Sequence, residues 1–83
     1  MPLYMDVHTL DDAVTFEDVG RAHQADLQTQ RSYDVSYLRF WVDGKHGKIF
    51  CLVEAPEAAA ATTVHREAHG LVADEIYEVQ EGS

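Results

Sequence analysis

The sequence has little cysteine, little positive charge and no long apolar run. Its single cysteine, Cys51, excludes an internal disulfide and a cysteine-rich zinc site. Because Cys51 lies in the apolar run I-F-C-L-V, we predict a buried and unreactive thiol. Six basic residues against 15 acidic ones give a net charge of −9, which disfavours binding to nucleic acid or to an anionic membrane.

No stretch approaches the roughly 20 apolar residues of a membrane span, and the N-terminus lacks the pattern of a secretory signal. The expected location is the cytoplasm.

The chain has the length of one small domain, and its composition shows no internal linker. We therefore predict a single domain over residues 1–83. A chain of this size buries only about 60% of its unfolded surface, and a metal ion or a second subunit often adds to its stability.

The spacing of apolar residues predicts the order β-α-β-β-α-β. The strands are predicted at residues 3–10, 35–43, 48–54 and 74–79, and the helices at residues 16–30 and from Pro56 to the histidine-containing turn. This order is typical of a ferredoxin-like α+β fold, in which a four-stranded antiparallel sheet carries both helices on one face.

Alternation along the first two strands predicts which side chains face the helices. The helix-facing set is predicted to be apolar and consists of Leu3, Met5, Val7, Leu38, Phe40 and Val42. The open face then carries Tyr4, Asp6, His8, Tyr37, Arg39 and Trp41. A small monomer rarely exposes this many aromatic side chains to water on one face. We predict a homodimer, or a higher homo-oligomer, whose sheets pack face to face around a polar-lined cavity.

The most specific chemistry lies in the segment V-H-R-E-A-H-G-L-V, residues 64–72. On a helix, the spacing of His65 and His69 places both imidazoles on one side, where they can bind one divalent ion. Gly70 is suited to ending that helix. A zinc protease needs a glutamate directly after the first histidine, whereas Glu67 points to the far side of the helix. The segment therefore favours binding over hydrolysis, and two ordinary boundary histidines are the alternative.

Three further residues are candidate metal ligands. His23 and Asp26 lie three residues apart on the first helix and can approach the histidine pair. His8 shares a strand face with Asp6, where the two side chains can bind a shared ion. Alternatively, His23 is a core histidine that donates a hydrogen bond to a backbone carbonyl. The alternative for Asp6 is that it is the ion-pair partner of Arg39. Imidazole and carboxylate ligands suit Ni(II), and Zn(II) or Cu(II) would fit nearly as well.

Three segments are similar to a family of small bacterial nickel-binding proteins, which belongs to a larger family of domains of unknown function. They are Y-L-R-F-W-V (37–42), G-K-I-F-C-L-V-E-A-P (47–56) and V-H-R-E-A-H-G-L-V-A-D-E-I-Y-E-V (64–79). The resemblance covers nearly the whole chain. It implies a ferredoxin-like dimer that binds Ni(II) and has no established reaction. His8, His23, His65 and His69 fall in matching segments, so the resemblance implies that they carry the metal chemistry.

The sequence therefore favours a nickel-binding protein, acting as a Ni(II) buffer, sensor or carrier without catalysis. The alternative is a dimeric α+β-barrel enzyme, or a small-molecule-binding protein, with its cavity on the open sheet face. The walls of that cavity would be Tyr4, Asp6, Tyr37, Arg39 and Trp41, with His8 as a base. A structural dimerisation module with incidental histidines is a third hypothesis.

Overall fold

The computed structural model describes residues 1–83 and contains four strands and two α-helices. In chain order they are β1 (Leu3–Thr9), α1 (Phe16–Thr29), a 3-10 turn (Gln30–Tyr33), β2 (Ser36–Asp43), β3 (Lys48–Glu54), α2 (Ala58–Ala68) and β4 (Glu75–Val79). The strands form one antiparallel sheet in the order β2-β3-β1-β4, and the two helices pack on the same face of it. The predicted α+β class and β-α-β-β-α-β order are confirmed. Neither helix has the length and apolar character needed to cross a membrane.

The helix ends follow from local side-chain chemistry. At the start of α1, the side chain of Thr15 accepts a hydrogen bond of 3.1 Å from the backbone N–H of Asp18. Helix α2 begins at Ala58, two residues later than a start at Pro56 would give. It ends where Gly70 adopts a φ of +81° and donates its N–H to the carbonyl of His65 at 2.9 Å.

The apolar core lies between the sheet and the helices. Its ten members are Tyr4, Val19, Val35, Tyr37, Ile49, Cys51, Val53, Ala55, Ala61 and Val64. Both helices contribute side chains to this core. Close packing of the core therefore holds the neighbouring polar side chains in place between the helices and the sheet.

The predicted faces of β1 are wrong. Asp6 and His8 point towards α2, and Tyr4 belongs to the core, whereas Leu3 and Met5 lie on the open face beside Trp41 of β2. Polar side chains normally favour the water-exposed face of a strand. Here they are buried, because side chains of the helices replace water as their hydrogen-bond partners.

A bulge in β2 explains the second error in the predicted faces. The strand pairing advances from Tyr37 to Arg39 while the partner strand advances by one residue, so Leu38 is an extra residue. The shift turns both Tyr37 and Phe40 towards the helices. The open-face prediction for Tyr37 is therefore wrong, whereas Arg39 and Trp41 do lie on the open face.

Candidate metal centre

Four ionisable side chains are buried together between the sheet and the helices. Asp6 and His8 come from β1, Asp26 from α1 and His65 from α2, and each is only 1–2% exposed. Burying such groups is costly unless they contact one another or a metal ion. Their mutual contacts therefore decide what this part of the molecule can do.

Asp6, His8 and His65, called here the inner group, bring two ring nitrogens and both oxygens of one carboxylate close together. Nε2 of His65 lies 2.9 Å from Oδ2 of Asp6 and 3.3 Å from Nε2 of His8. Nε2 of His8 in turn lies 3.3 Å from Oδ1 of Asp6. Nevertheless, Oδ1 of Asp6 and Nδ1 of His8 have no hydrogen-bond partner. Hydrogen bonding alone therefore leaves the inner group incompletely satisfied.

Local structure explains why these three side chains meet. Asp6 and His8 are two residues apart on β1, so they point to the same face of the sheet. The hydroxyl of Tyr37 lies 3.0 Å from Oδ2 of Asp6 and 3.1 Å from the carbonyl oxygen of Ala61, which ties the carboxylate to α2. Cys51 on β3 pairs directly with Asp6, and its Sγ lies within 4.8 Å of the ligand atoms of the inner group.

Asp26 contacts the opposite nitrogen of the His65 ring. Oδ1 of Asp26 lies 2.9 Å from Nδ1 of His65. Because a carboxylate only accepts, this contact places a hydrogen on Nδ1 of His65. The second nitrogen, Nε2, then faces the strands as the atom available to a metal ion.

His69 also reaches Asp26, but through a different tautomer. Its Nδ1 accepts the backbone N–H of Leu71 at 3.0 Å, so its hydrogen lies on Nε2. That Nε2 is 3.1 Å from Oδ1 of Asp26 without the geometry of a hydrogen bond. His69 is therefore arranged to support Asp26, and its backbone contact opposes metal binding at Nε2.

The pKa values of the cluster follow from this charge arrangement. Burial alone would lower the pKa of His65, but hydrogen bonds and charge interactions with Asp26 and Asp6 raise it to about 9. Burial would likewise raise the pKa values of both carboxyls, yet contacts with the histidines hold them below their usual range. Burial and the neighbouring Asp6 raise the pKa values of Tyr37 and Cys51. Without a metal ion, the ground state is an imidazolium between two carboxylates.

A cleft of about 100 Å³ leads to the cluster between α1 and the sheet. His23 lines this cleft but makes no hydrogen bond to the inner group, and its Nδ1 has no partner. Its ring packs against Phe40 with centroids 5.0 Å apart. Burial lowers the pKa of His23. Outside the cleft, the exposed His46 pairs with Asp43, with 2.9 Å between Nδ1 and Oδ2.

The structure thus brings four of the five predicted ligands into one connected cluster and leaves His23 on the cleft wall. The four are His8, Asp26, His65 and His69. Sequence reasoning assigned Asp6 and Tyr37 to the open face and treated Cys51 only as an unreactive core residue. The spacing of Asp6 and His8 on one strand was the available signal for Asp6. Nothing in the local sequence indicates that Tyr37 or Cys51 lies beside it.

The separations within the inner group match those expected around one metal ion. Ligand atoms at about 2.1 Å from an ion, with angles of about 90–109° between them, lie roughly 3.0–3.4 Å apart. The two imidazole nitrogens are 3.3 Å apart, and each contacts a different oxygen of Asp6, at 2.9 Å from His65 and at 3.3 Å from His8. The unpartnered Oδ1 of Asp6 gives the same indication, because a cation accepts a lone pair that no nearby proton satisfies.

Comparison with known proteins adds a family and a solved structure. The family described as "Nickel responsive protein SCO4226-like" matches residues 4–79. The protein in "Crystal structure analysis of SCO4226 from Streptomyces coelicolor A3(2)" is 40% identical, with a TM-score of 0.89 over 98% of this chain and 99% of that one. A comparison with curated proteins finds no match. With nearly the whole sequence matched, the chain belongs to the family of SCO4226-like nickel responsive proteins.

Proposed function

We propose that the protein binds one Ni(II) ion at the inner group and does not catalyse a reaction. The observation that carries this proposal is the convergence of Nε2 of His8, Nε2 of His65 and the Asp6 carboxylate, whose two oxygens each contact one of the rings. Any single hydrogen satisfies only one of these three contacts. A divalent ion can interact with all three side chains at once.

Asp26 supports this proposal from behind the His65 ring. A histidine that binds a metal usually donates its other N–H to a carboxylate, which fixes the tautomer and raises the basicity of the ligand nitrogen. The contact of 2.9 Å from Nδ1 of His65 to Asp26 has this form. In the proposed site Asp26 and His69 orient the ligand, whereas His8, His65 and Asp6 bind the ion.

The choice of nickel rests on ligand type together with the family. Imidazole nitrogen and carboxylate oxygen suit Ni(II), and the family is described as nickel responsive. The same ligand atoms also accept Zn(II) and Cu(II). We propose a cytoplasmic buffer, sensor or carrier. We propose binding without catalysis, because Tyr37 and Asp26 are both engaged in holding ligand side chains.

The test is metal uptake by the full chain purified without a histidine tag. We expect about one Ni(II) per chain by elemental analysis after dialysis, and saturable heat on isothermal titration. His8→Ala should weaken the affinity at least about tenfold, since it removes one of three ligand atoms. The matched control, His46→Ala, removes an exposed histidine and should leave the affinity unchanged. Equal weakening by both variants, or no uptake by the unchanged chain, would contradict the proposal.

We propose further that a second copy of the chain covers the open sheet face. Trp41 and Tyr77 are 47% and 51% exposed there, next to the apolar Leu3 and Met5. The same face carries both Arg39 and Glu81, so its apolar centre is bordered by charges of opposite sign. Two such faces bury the exposed aromatic rings against each other.

Sedimentation tests this dimer. Wild type is expected to sediment as a dimer at micromolar concentration. Trp41→Glu should sediment as a monomer, because it places a charge at the centre of the interface. Phe16→Glu, on the helix side and 62% exposed, is the control and should remain dimeric. A monomeric wild type would contradict the proposal.

The alternative function is a ligand cavity or an active centre on the open face. Most of the residues predicted to line that cavity do not lie on this face. Tyr4, Asp6 and Tyr37 face the helices, which leaves Arg39 and Trp41 from the predicted set. The structure gives no observation that favours this alternative over metal binding.

A further inference from the structure

We propose that Cys51 provides a fourth, thiolate ligand to the ion held by the inner group. This inference rests on the proposed function and specifies the chemistry of the same site. It changes the class of the centre from nitrogen and oxygen ligands alone to a mixed centre of two imidazoles, one carboxylate and one thiolate.

Strand pairing brings the sulfur to the site. Cys51 on β3 is the pairing partner of Asp6 on β1, and the two side chains emerge on the same face of the sheet. Sγ of Cys51 lies within 4.8 Å of the ligand atoms of Asp6, His8 and His65. Sulfur and nitrogen ligands of one tetrahedral ion lie about 3.6 Å apart.

A second, independent observation points to a cation beside this sulfur. Oδ1 of Asp6 is buried in a residue only 1% exposed and has no hydrogen-bond partner. A lone buried cysteine would be an ordinary core residue. Here the thiol lies next to an unsatisfied carboxylate oxygen and two imidazoles.

Ligand exchange accounts for all atoms without any change of oxidation state. Nε2 of His65 and Sγ of Cys51 each release one proton to solvent, and the hydrated ion loses water as Ni–N, Ni–O and Ni–S bonds form. A thiolate favours thiophilic ions such as Ni(II), Zn(II) and Co(II) over Mg(II) and Mn(II), which prefer oxygen ligands. The inferred centre therefore discriminates against the most abundant divalent ions of the cell.

Absorption spectroscopy tests the inference directly, since a metal–thiolate bond gives an intense near-ultraviolet charge-transfer band. Ni(II) and Co(II) are titrated separately into the untagged full chain. We expect the band to grow until about one ion per chain is bound. Cys51→Ala and Cys51→Ser should bind Ni(II) at least about tenfold more weakly and without the band. Circular dichroism of both variants establishes that they remain folded.

The outcomes separate this inference from the proposed function. Ni(II) uptake by wild type without the band overturns the thiolate ligand and leaves the proposed function intact. An unchanged Ni(II) affinity in a folded Cys51→Ala variant likewise overturns the thiolate ligand and leaves the proposed function intact. No uptake by wild type overturns both. The measurement on wild type decides the question even if neither variant folds.

Discussion

Nδ1 of His65 lies 2.9 Å from Oδ1 of Asp26, so that a contact between the two helices sets the orientation of the central imidazole. The other nitrogen of that ring lies 2.9 Å from Oδ2 of Asp6 on the sheet. One side chain therefore links α1, α2 and β1 through two carboxylates. Any ion that binds Nε2 of His65 displaces its proton but keeps the support from Asp26.

Asp26→Asn tests this supporting role. The amide cannot provide the negative charge behind the ring, although every atom of the inner group remains. We expect the Ni(II) affinity to fall about 10–100-fold, as is typical for loss of an outer carboxylate partner. Isothermal titration measures the effect. Asp43→Asn, which changes an exposed carboxylate paired with His46, is the control. Equal affinities for wild type and Asp26→Asn would show that the contact has no role in binding.

The two histidines of α2 should contribute unequally to binding. His65→Ala, alone or combined with His69→Ala, should weaken Ni(II) binding at least about tenfold, because it removes Nε2 from the inner group. His69→Ala should have a small effect, since Nδ1 of His69 accepts the N–H of Leu71 and Nε2 then carries a hydrogen. Titration of the three variants compares them. A larger loss in His69→Ala than in His65→Ala would place the ion at Asp26 and His69 instead.

Sequence periodicity predicts the order of the elements, since helices and strands differ in the spacing of their apolar residues. Thr15 at the start of α1 and Gly70 after α2 act locally, and the structure shows Gly70 in its predicted role at the end of α2. These local effects depend only on residues within a few positions, so contacts between distant parts of the chain do not change them.

The site was harder to predict because it depends on contacts between distant residues. Strand alternation predicts Asp6 on the open face, but burial beneath the helices is favourable because His65, 59 residues away, provides a partner. The bulge at Leu38 then reversed the alternation on which the assignment of Tyr37 depended. Neither effect is visible in a local pattern. The histidine spacing indicated metal chemistry, but not which nitrogen of each ring is available.

His23 should affect the rate of metal uptake more than the affinity. It lines the cleft that leads to the inner group, and its Nδ1 has no hydrogen-bond partner that would compete for an arriving ion. We expect His23→Ala to slow Ni(II) association several-fold in stopped-flow measurements and to leave the dissociation constant within about twofold. Gln24→Ala, an exposed change on the same helix, is the control. A large rise in the dissociation constant would instead make His23 a ligand.

The stability of the metal-free protein should depend on pH through the same cluster. The pKa of His65 is raised to about 9 by Asp26 and Asp6, whereas the pKa values of these two carboxyls are lowered. The groups that face the ring from the surrounding elements are His8, Tyr37, Cys51, His23 and His69. None of them replaces the negative charge of the carboxylates.

A raised histidine pKa stabilises the folded state fully below the unfolded value of about 6.5 and loses this contribution as the pH rises to about 9. The lowered carboxyl pKa values stabilise above about pH 4 and lose their contribution on acidification. Urea unfolding without metal should therefore show maximal stability between about pH 4 and 6.5, with a loss of up to about 3 kcal/mol by pH 9. In His65→Gln the alkaline loss should disappear, because glutamine does not titrate. An unchanged alkaline loss in this variant would assign the effect to another group, so the raised pKa of His65 would not be its source.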